Sequence, residues 1–230
     1  MVIFRLFSFL VLLFAANIAL ADKIAIIGTG KVGSALGPSF ASLGHQIIYG
    51  SRDPERDSVK ELVSKTGPGA SASLPKEAAQ TADIILLAVP WSAARDSLRS
   101  LGNVSGKIII DATNPAKYLS SGYAEHTVSS SNGELIQRWA SKAKVVKAFN
   151  TLSYRTMQNP NSAQGPITIP IVGNDKDAKA KVAELAEGIG FEAIDLGPIE
   201  YAHEVEGMLI LWLNARRHEP AFDFYLRKEN

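Results

Sequence analysis

The fold is decided by the stretch Lys23–Gly33, which has the sequence KIAIIGTGKVG. Its first five residues are an apolar run rich in isoleucine, the pattern of a strand buried on both faces. The other six fit G-x-G-x-x-G, and the apolar spacing of Val32–Leu43 continues as an amphipathic helix. A glycine motif between a buried strand and a helix predicts the phosphate-binding turn of a dinucleotide-binding domain.

The glycines of this motif have separate expected roles. Gly28 permits the tight turn, Gly30 lets the backbone approach a pyrophosphate, and Gly33 lets the helix pack closely on the strand. The first amides of a helix have no partners within the helix, so they present N–H groups and a positive dipole end to phosphate. A purely structural glycine turn is the alternative.

Strand patterns and helix patterns alternate along the rest of the chain. This alternation predicts βαβ units, and therefore an α/β fold with a doubly wound, mainly parallel Rossmann sheet. Residues 22–230 are expected to form a single domain, with a small C-terminal helical extension over 199–230. Strands are predicted at Gln46–Tyr49, Asp83–Val89, Lys107–Asp111, Lys144–Phe149, Ile167–Val172 and Phe191–Asp195. Helices are predicted at Asp53–Ser64, Lys76–Thr81, Ser92–Leu101, Ser131–Trp139, Asp175–Ile189 and Ala202–Arg217.

Several local signals refine this pattern. Asp53-Pro54 predicts a helix start, with the aspartate as N-cap and the proline in the first helical position. Ser131 lies three residues before a glutamate, the spacing of a capping box. Tyr118–Gly133 is rich in serine and glycine and has no apolar period, so it is predicted to be a loop. Pro170 lies inside a strand pattern, which predicts an edge strand or an interrupted ladder.

Residues 1–21 differ in kind from the rest of the chain. Arg5 is their only charged residue, and Leu6–Leu20 is almost continuously apolar. With a small-x-small pattern ending at Ala21, the segment predicts a cleaved signal peptide and an exported protein, periplasmic or secreted. An uncleaved membrane anchor is the first alternative. The second is a misassigned start codon, which would leave the protein in the cytoplasm.

The composition narrows the classes of function. A formal net charge of +1 over 230 residues gives no indication of binding to nucleic acid or to an anionic membrane. Cysteine is absent, which excludes disulfides, thiolate metal ligands and cysteine nucleophiles. We predict no metal site, because His203 beside two glutamates has no matching ligand elsewhere. His126 is expected to be solvated, with substrate contact as the alternative. The apolar stretch Met208–Leu213 predicts core packing, with a homodimer contact or an acceptor pocket as alternatives.

The end of the second predicted strand favours NADP over NAD. An NAD site normally has an acidic residue there, which bonds the ribose 2′-hydroxyl. In this chain Ser51 and Arg52 stand at that place, and Arg56 follows one helical turn later. A hydroxyl and guanidinium groups suit a 2′-phosphate, because the guanidinium fork binds phosphate oxygens at two points. Solvated turn residues are the alternative interpretation.

The carboxyl ends of three further strands are expected to line the cofactor cleft, because ligands of such sheets bind beyond those ends. Val89 and Pro90 follow one strand, and Trp91 next to them either flanks the nicotinamide or packs in the core. Asn114 and Asn150 each place an amide side chain at the cleft edge, with a cap or turn role as the alternative. No catalytic acid–base dyad is evident among these residues.

The segments GTGKVGSAL, YGSRDPER, AVPWSAA, VVKAFNT and PIVGNDKDAK, in this order, resemble the coenzyme F420-dependent NADP oxidoreductase family. They are also similar to the NADPH-binding domain of the STEAP metalloreductases. The resemblance covers about residues 23–217. It implies that NADP(H) is the cofactor and that the hydride passes to or from a small-molecule acceptor, a deazaflavin (coenzyme F420) or a flavin. It further implies that Thr29, Gly30, Lys31 and Val32 hold the pyrophosphate, that Ser51, Arg52 and Arg56 hold the 2′-phosphate, and that Pro90, Asn114 and Ala148 approach the nicotinamide end.

The chain departs from the family pattern in two places. Family members often have a histidine shortly after the Pro-Trp pair, where Ser92, Ala93 and Ala94 stand here. The segment Tyr118–Gly133 also lacks a matching motif. These departures leave open a non-catalytic exported nucleotide-binding domain. An NADPH-dependent imine or keto reductase also stays open, because a similar first domain serves those enzymes.

Overall fold

The computed structural model describes residues 21–220, 222 and 224–229. The predicted leader, residues 1–21, lies outside this range except for Ala21. The strands are β1 (Lys23–Ile27), β2 (Gln46–Gly50), β3 (Ala70–Ser73), β4 (Ile84–Leu87), β5 (Ile108–Asp111), β6 (Ala116–Tyr118), β7 (Ala124–His126), β8 (Lys144–Lys147), β9 (Thr168–Gly173) and β10 (Glu192–Asp195). The helices are α1 (Lys31–Ser42), α2 (Asp57–Thr66), α3 (Pro75–Thr81), α4 (Trp91–Ser100), α5 (Asn132–Trp139), α6 (Tyr154–Gln158), α7 (Lys176–Gly188) and α8 (Ala202–Ala215).

Eight of these strands form one sheet in the order β10-β9-β8-β5-β4-β1-β2-β3. Neighbouring strands run parallel except β8 and β9, which pair antiparallel. The predicted doubly wound, mainly parallel Rossmann sheet is thus confirmed. The chain winds outward in both directions from β1 and β4, and ligands of such sheets bind at the carboxyl ends of the strands beside this reversal.

The central strand β1 contributes to two apolar layers. Ile24 and Ile26 face the layer that contains Phe40 of α1, whereas Ala25 and Ile27 face the layer on the other side of the sheet. All four strand residues are at most 2% exposed. Alternate residues of a strand point to opposite faces, so a strand covered by helices on both sides must be apolar at every position. That requirement explains the unbroken apolar run from which the strand was predicted.

Pro170 lies within β9, which is not an edge strand. On one side Pro170 is in register with Ile194 of the parallel strand β10. On the other side β9 pairs with β8 only at its last two residues, Val172 and Gly173. A proline cannot donate to a ladder. The predicted interrupted ladder is therefore confirmed, and it lies where the sheet changes from parallel to antiparallel.

The predicted helix start at Asp53 is wrong, because α2 begins at Asp57. The Ser51 hydroxyl donates to the Asp53 carbonyl (2.8 Å) and accepts from the Asp53 amide (3.2 Å), which forms a tight local turn. A second turn follows, in which the Arg56 amide donates to the Asp53 carbonyl. Asp53 and Pro54 therefore lie in the connection that leads to the helix.

The predicted loop Tyr118–Gly133 contains part of a β-hairpin. The strands β6 and β7 pair antiparallel, with Ala116 opposite His126 and Tyr118 opposite Ala124. A residue distant in sequence stabilises the hairpin. The Asn214 side chain of α8 accepts from the Ala124 amide (2.7 Å) and donates to the Ala124 carbonyl (3.1 Å). Local sequence carries no sign of this partner, and neither the edge strand β3 nor the short helix α6 was predicted.

The C-terminal extension begins with a 3-10 turn at Ile199–Tyr201 and continues as α8. Only Ala202, Val205 and Glu206 of α8 are buried, and Leu211 is 64% exposed. The predicted core packing of Met208–Leu213 is therefore wrong for most of its length. Among the described residues, no helix is both long enough and apolar enough to cross a membrane.

Candidate dinucleotide site and adjoining cleft

Gly28 and Gly33 occupy positions that no other residue could take without displacing backbone. Gly28 has φ +111°, and a Cβ on it would lie 2.4 Å from the Ala88 carbonyl oxygen at the end of β4. A Cβ on Gly33 would lie 2.0 Å from the Gly28 carbonyl oxygen. The strand, the turn and α1 are therefore packed against one another at backbone distance.

Gly30 is different, because a Cβ there would meet no atom within 4 Å. This residue is the N-cap of α1, and no side chain caps the helix. The first amides of α1 thus face open space that is free of side chains, next to exposed Lys31 and partly buried Thr29 and Val32. We call this open helix start the glycine cradle; an uncapped helix N-terminus is a place where phosphate groups bind in proteins.

One of the predicted 2′-phosphate residues contacts the glycine turn. Arg56 donates through Nη2 to the Thr29 hydroxyl at 3.2 Å, which joins the start of α2 to that turn. Ser51 is 7% exposed and its hydroxyl already bonds Asp53, so it shapes the turn. Arg52 is exposed and has no hydrogen bond or ion pair with any described residue. The guanidinium groups are the donors that face outward here.

The end of β4 adjoins the glycine turn. Val89 lies 3.1 Å from where a Gly28 Cβ would stand, and Pro90 is exposed at the N-cap of α4. Trp91 stacks on Trp139 of α5, with ring centroids 5.4 Å apart and planes inclined by 13°. Val89 thus lies beside the glycine turn and Pro90 at the start of α4, and the Trp91 ring is engaged in packing between helices.

Asn114 and Asn150, predicted separately at the cleft edge, bond each other. The Asn114 amide nitrogen donates to the Asn150 backbone carbonyl, and the Asn150 side chain donates to Asn114 Oδ1, both at 3.2 Å. Asn150 also donates to the Val205 carbonyl of α8 at 3.1 Å, while its own Oδ1 is buried with no partner among the described residues. Ala148, two residues earlier, is fully buried. The amide pair joins the ends of β5 and β8 to the C-terminal helix.

A buried ion triad lies behind this pair and was not predicted from the sequence. It consists of Lys147, Asp111 and Glu206. All three are 0% exposed. The Lys147 ammonium donates to Asp111 (2.9 Å), to Glu206 (2.7 Å) and to the Thr113 carbonyl (2.6 Å), so each of its three N–H groups has an acceptor. The available signal was a charged residue within the apolar stretches IIID, VVKAF and VEGMLI.

Glu206 also caps helix α5. Its carboxylate accepts from the Asn132 and Gly133 amides at 3.0 and 3.1 Å, while the Ser131 hydroxyl accepts from the Glu134 amide as the capping box predicted. Burial raises the pKa of Glu206, Lys147 lowers it, and the nearby Asp111 raises it again, with a net increase. The N–H donors on both carboxylate oxygens favour the ionised form, but the cost of burying the charge outweighs them in the pKa of Glu206.

Phe149 adopts a strained backbone between Lys147 and Asn150. Its φ of +64° is the only positive value at a non-glycine residue in the described part of the chain. Such a conformation costs about 1–3 kcal/mol and persists where the surroundings hold it in place. The Phe149 ring is 0% exposed and packs edge-on against Phe40 at 6.0 Å. Strain is thus stored in the turn that leads from β8 to the cleft.

Two histidines join the hairpin to α8. His126 of β7 and His203 of α8 stack, with ring centroids 4.6 Å apart and planes inclined by 21°. Burial, and then the neighbouring His203, lower the pKa of His126, which favours its neutral form at physiological pH. His203 Nδ1 lies 2.8 Å from the Ser130 carbonyl oxygen. The expected solvated His126 is instead half-buried and stacked.

Comparison with known proteins agrees with this geometry. The family model for NADP oxidoreductase, coenzyme F420-dependent, matches residues 23–115. The F420-dependent NADP reductase of Methanothermobacter thermautotrophicus is 32% identical over 207 residues, covering 84% of this chain and 88% of the reductase. Metalloreductase STEAP3 of Rattus norvegicus is 30% identical over 190 residues, which cover 82% of this chain and 36% of that protein.

Solved structures extend the comparison. A protein from Arthrobacter sp. FB24, assigned as an F420-dependent NADP reductase, has a TM-score of 0.80 and 31% identity, with 90% of this chain and 100% of that chain covered. A reductive aminase from Aspergillus terreus shares the fold at a TM-score of 0.59 and 17% identity, covering 83% of this chain and 60% of that chain. The match to the Methanothermobacter thermautotrophicus reductase, with 32% identical residues over most of both chains, establishes the family. The chain belongs to the coenzyme F420-dependent NADP oxidoreductase family, a family of NADP-dependent reductases.

Proposed function

We propose that this protein transfers hydride between NADPH and the deazaflavin coenzyme F420. The hydride carries two electrons from NADPH, which becomes NADP⁺, and the reduced deazaflavin takes up one proton from solvent. The observation that carries the proposal is the glycine cradle, joined through Arg56 and Thr29 to a strand end that presents guanidinium groups. Phosphate at both places would meet N–H donors and positive charge. We call the glycine turn with Ser51, Arg52 and Arg56 the adenosine end, and the ends of β4, β5 and β8 the nicotinamide end.

The adenosine end provides the binding free energy in this proposal. Gly30 leaves the space for the pyrophosphate, and the uncapped amides of α1 donate to it. Arg52 and Arg56 bind the 2′-phosphate, which distinguishes NADPH from NADH. The Ser51 turn fixes the direction in which the Arg52 backbone leaves β2.

The nicotinamide end orients and shields the reacting ring. When bound, NADPH supplies a hydride from C4 of its nicotinamide. Val89 and Pro90 form an apolar wall with the amide of Asn114 beside it. Asn150 fixes that amide, and Ala148, which is fully buried, supports the wall from behind. Transfer of a hydride between two rings requires proximity and exclusion of water more than a proton donor. A neutral, rigid wall meets that requirement.

Coenzyme F420 is the proposed acceptor because reductases named for it are similar to this chain over nearly all of their length. The relevant surface is the β6–β7 hairpin with α8, since it continues from Asn114 at the cleft edge. A flavin is the other acceptor considered, and it differs from F420 in the ring that the surface must accommodate. Direct comparison of the two acceptors decides between them.

The test is to mix the purified protein with NADPH and either F420 or a free flavin, and to follow acceptor absorbance. We expect F420 reduction that depends on NADPH and is weak with NADH. A matched control is Lys179→Ala, which removes a largely buried charge of α7 whose partner Asp195 is on the edge strand β10. Binding of NADPH without reduction of F420 or flavin would refute the proposed reaction while leaving the nucleotide site intact. Absence of NADPH binding would refute the whole assignment.

Location is a separate proposal, based on residues 1–21 alone. We propose that the apolar segment directs export and is cleaved after Ala21. N-terminal sequencing of the native protein tests this. A chain that starts at Asp22 outside the cytoplasm supports it, and a retained Met1 contradicts it.

A homodimer through α8 is likewise a proposal. Its support is an apolar helix whose Leu211 is 64% exposed. Sedimentation of the wild type and of Leu211→Lys tests it, and we expect the variant to sediment as the smaller species. Identical sedimentation of both proteins would contradict this contact.

A further inference from the structure

The turn after β8 is anchored on both sides by α8. On one side Lys147, the last residue of β8, bonds the Glu206 carboxylate at 2.7 Å. On the other side Asn150 donates to the carbonyl of Val205 at 3.1 Å. Two consecutive residues of α8 therefore hold the two ends of a turn whose middle residue, Phe149, has φ +64°. The chain would relax from this conformation if either anchor were released.

The triad does more than fill the core. An apolar residue of similar size could occupy the volume of Lys147, but it could not bond three segments at once. The ammonium connects the end of β5 through Asp111, the chain after β5 through the Thr113 carbonyl, and α8 through Glu206. Glu206 in turn accepts hydrogen bonds from the first amides of α5, so this helix is joined to the same group. The ends of β5 and β8 and the helix α8 thus share a single buried cation.

The triad adjoins the buried residues that support the proposed nicotinamide end. Ala112 and Ala148 follow Asp111 and Lys147 in the chain, and the Ala148 amide donates to the Asp111 carbonyl at 3.2 Å. A displacement of Lys147 would therefore move the wall without touching the adenosine end. The position of a reacting ring matters strongly, because a shift of about 1 Å costs roughly a hundredfold in rate.

We propose that Lys147 and Glu206 are positioning residues for hydride transfer: their buried ion pair ties α8 to β8 and thereby holds the Phe149 turn and the nicotinamide-facing wall. This inference rests on the proposed function for its reaction, and on the geometry of the triad for its residues. It assigns a role to the C-terminal helix, whose two anchoring residues never reach the cofactor themselves.

The first variant is Lys147→Met, which keeps the length of the side chain and removes its charge. Two measurements distinguish a positioning role of Lys147 from a general loss of folded structure. Affinity for adenosine 2′,5′-bisphosphate reports the adenosine end, and the fluorescence of bound NADPH reports the surroundings of the nicotinamide. We expect unchanged bisphosphate affinity, altered NADPH fluorescence, and single-turnover oxidation of NADPH by F420 slowed by about tenfold to a hundredfold. The matched control is Lys179→Met, which removes a 2.7 Å ion pair with Asp195 at the far edge of the sheet and should leave all three quantities unchanged.

A second variant covers the case in which Lys147→Met fails to fold because Glu206 is left buried without its partner. Lys147→Met combined with Glu206→Gln removes both charges of the pair. We expect this protein to fold and bind the bisphosphate normally, and still to show altered fluorescence and slow hydride transfer. Wild-type fluorescence and rate in either folded variant would overturn the inference.

The same data separate this inference from the proposed function. If the wild-type protein does not bind NADPH, the proposed function fails. If the wild type binds NADPH but does not reduce F420, the acceptor assignment fails, and the fluorescence of the variants still decides the role of Lys147. If the wild type reacts and the variants match it, only the role of Lys147 and Glu206 fails.

Discussion

At the adenosine end of the cleft the polar groups face outward, whereas behind the nicotinamide end they face one another. Arg52 is exposed and has no partner among the described residues, and the amides that begin α1 are uncapped. Lys147, in contrast, is fully buried and each of its N–H groups is bonded. We expect a surface that binds phosphate to leave donors unpaired. We expect a surface that only positions a ring to use its charges to fix its own shape.

The two ends also differ in how the chain builds them. The adenosine end comes from two short segments, residues 28–33 and 51–56, each with its own turn. The nicotinamide end needs Asp111, Lys147 and Glu206, which are separated by tens of residues and meet only in the folded protein. We therefore expect mutations at the first end to change affinity, and mutations behind the second to change stability and rate.

The largest expected effect is that of Gly33→Ala. The new methyl group would lie 2.0 Å from the Gly28 carbonyl oxygen, so the strand and α1 would have to separate. Overpacking of this kind costs about 1–3 kcal/mol and sometimes more. We expect urea unfolding to show a loss at the upper end of that range, and NADPH titration to show no binding.

Gly30→Ala is the matched control, because its methyl group meets no protein atom within 4 Å. We expect a free energy of unfolding close to that of the wild type and a clearly weaker affinity for NADPH, since the methyl group enters the space proposed for pyrophosphate. Undiminished affinity in Gly30→Ala would show that the pyrophosphate does not lie there.

The next effect concerns pH. The raised pKa of Glu206 means that its carboxyl group binds a proton more tightly in the folded protein than in the unfolded chain. Its contribution to stability is therefore fully present below the unfolded pKa, about 4.3, and is lost as pH rises through the folded value. Glu206→Gln should lose this pH-dependent contribution to stability. It should also be less stable by about 1–3 kcal/mol near neutral pH, because the substitution impairs the hydrogen bond from the Asn132 amide.

Urea unfolding at a series of pH values, from about 4.3 upward, measures this component. We expect the difference in stability between wild type and Glu206→Gln to shrink as pH rises, because only the wild type carries the cost of ionising residue 206. Glu134→Gln is a suitable reference for loss of a carboxylate at the start of α5. A constant difference across the series would mean that the buried carboxylate titrates normally.

The smallest effect is expected at the hairpin. Asn214→Ala removes two hydrogen bonds to Ala124, each with a net contribution of about 1 kcal/mol. We expect faster hydrogen exchange of the Ala124 amide and an unchanged affinity for NADPH, since the hairpin does not contact the adenosine end. Asn161→Ala, at an exposed position, serves as the control. Weaker NADPH binding in Asn214→Ala would contradict the independence of the two ends.

The contrast between the two ends explains how much the sequence could predict. The sheet and the glycine turn follow from periodicity and from backbone restrictions that act within a few residues, so KIAIIG and GTGKVG sufficed. The residues around Ser51 were found for the same reason. The N-cap of α2 was placed at Asp53, three residues before the observed Arg56, because the Ser51 hydroxyl bonds the Asp53 backbone in a local turn that comes before the helix.

What the sequence could not predict depends on distant partners. The β6–β7 hairpin is stabilised by Asn214 of α8, and the triad joins residues from three segments. A lysine in an apolar strand or a glutamate in an apolar helix signals a buried charge, but neither residue identifies its partner. Phe149 gives no local sign of its positive φ either, since that conformation is imposed by the groups around it.

The most direct test of the account is a titration of the purified protein with NADPH and with NADH, repeated with Arg52→Ala and with Arg99→Ala as a control on an exposed arginine of α4. Loss of a charge-assisted phosphate contact costs about 1.5–3 kcal/mol, or roughly tenfold to a hundredfold in affinity. We expect the wild type and Arg99→Ala to bind NADPH much more tightly than NADH, and Arg52→Ala to lose most of that preference. Equal affinity of the wild type for the two nucleotides, or a preference that survives in Arg52→Ala, would contradict the assignment of the 2′-phosphate site.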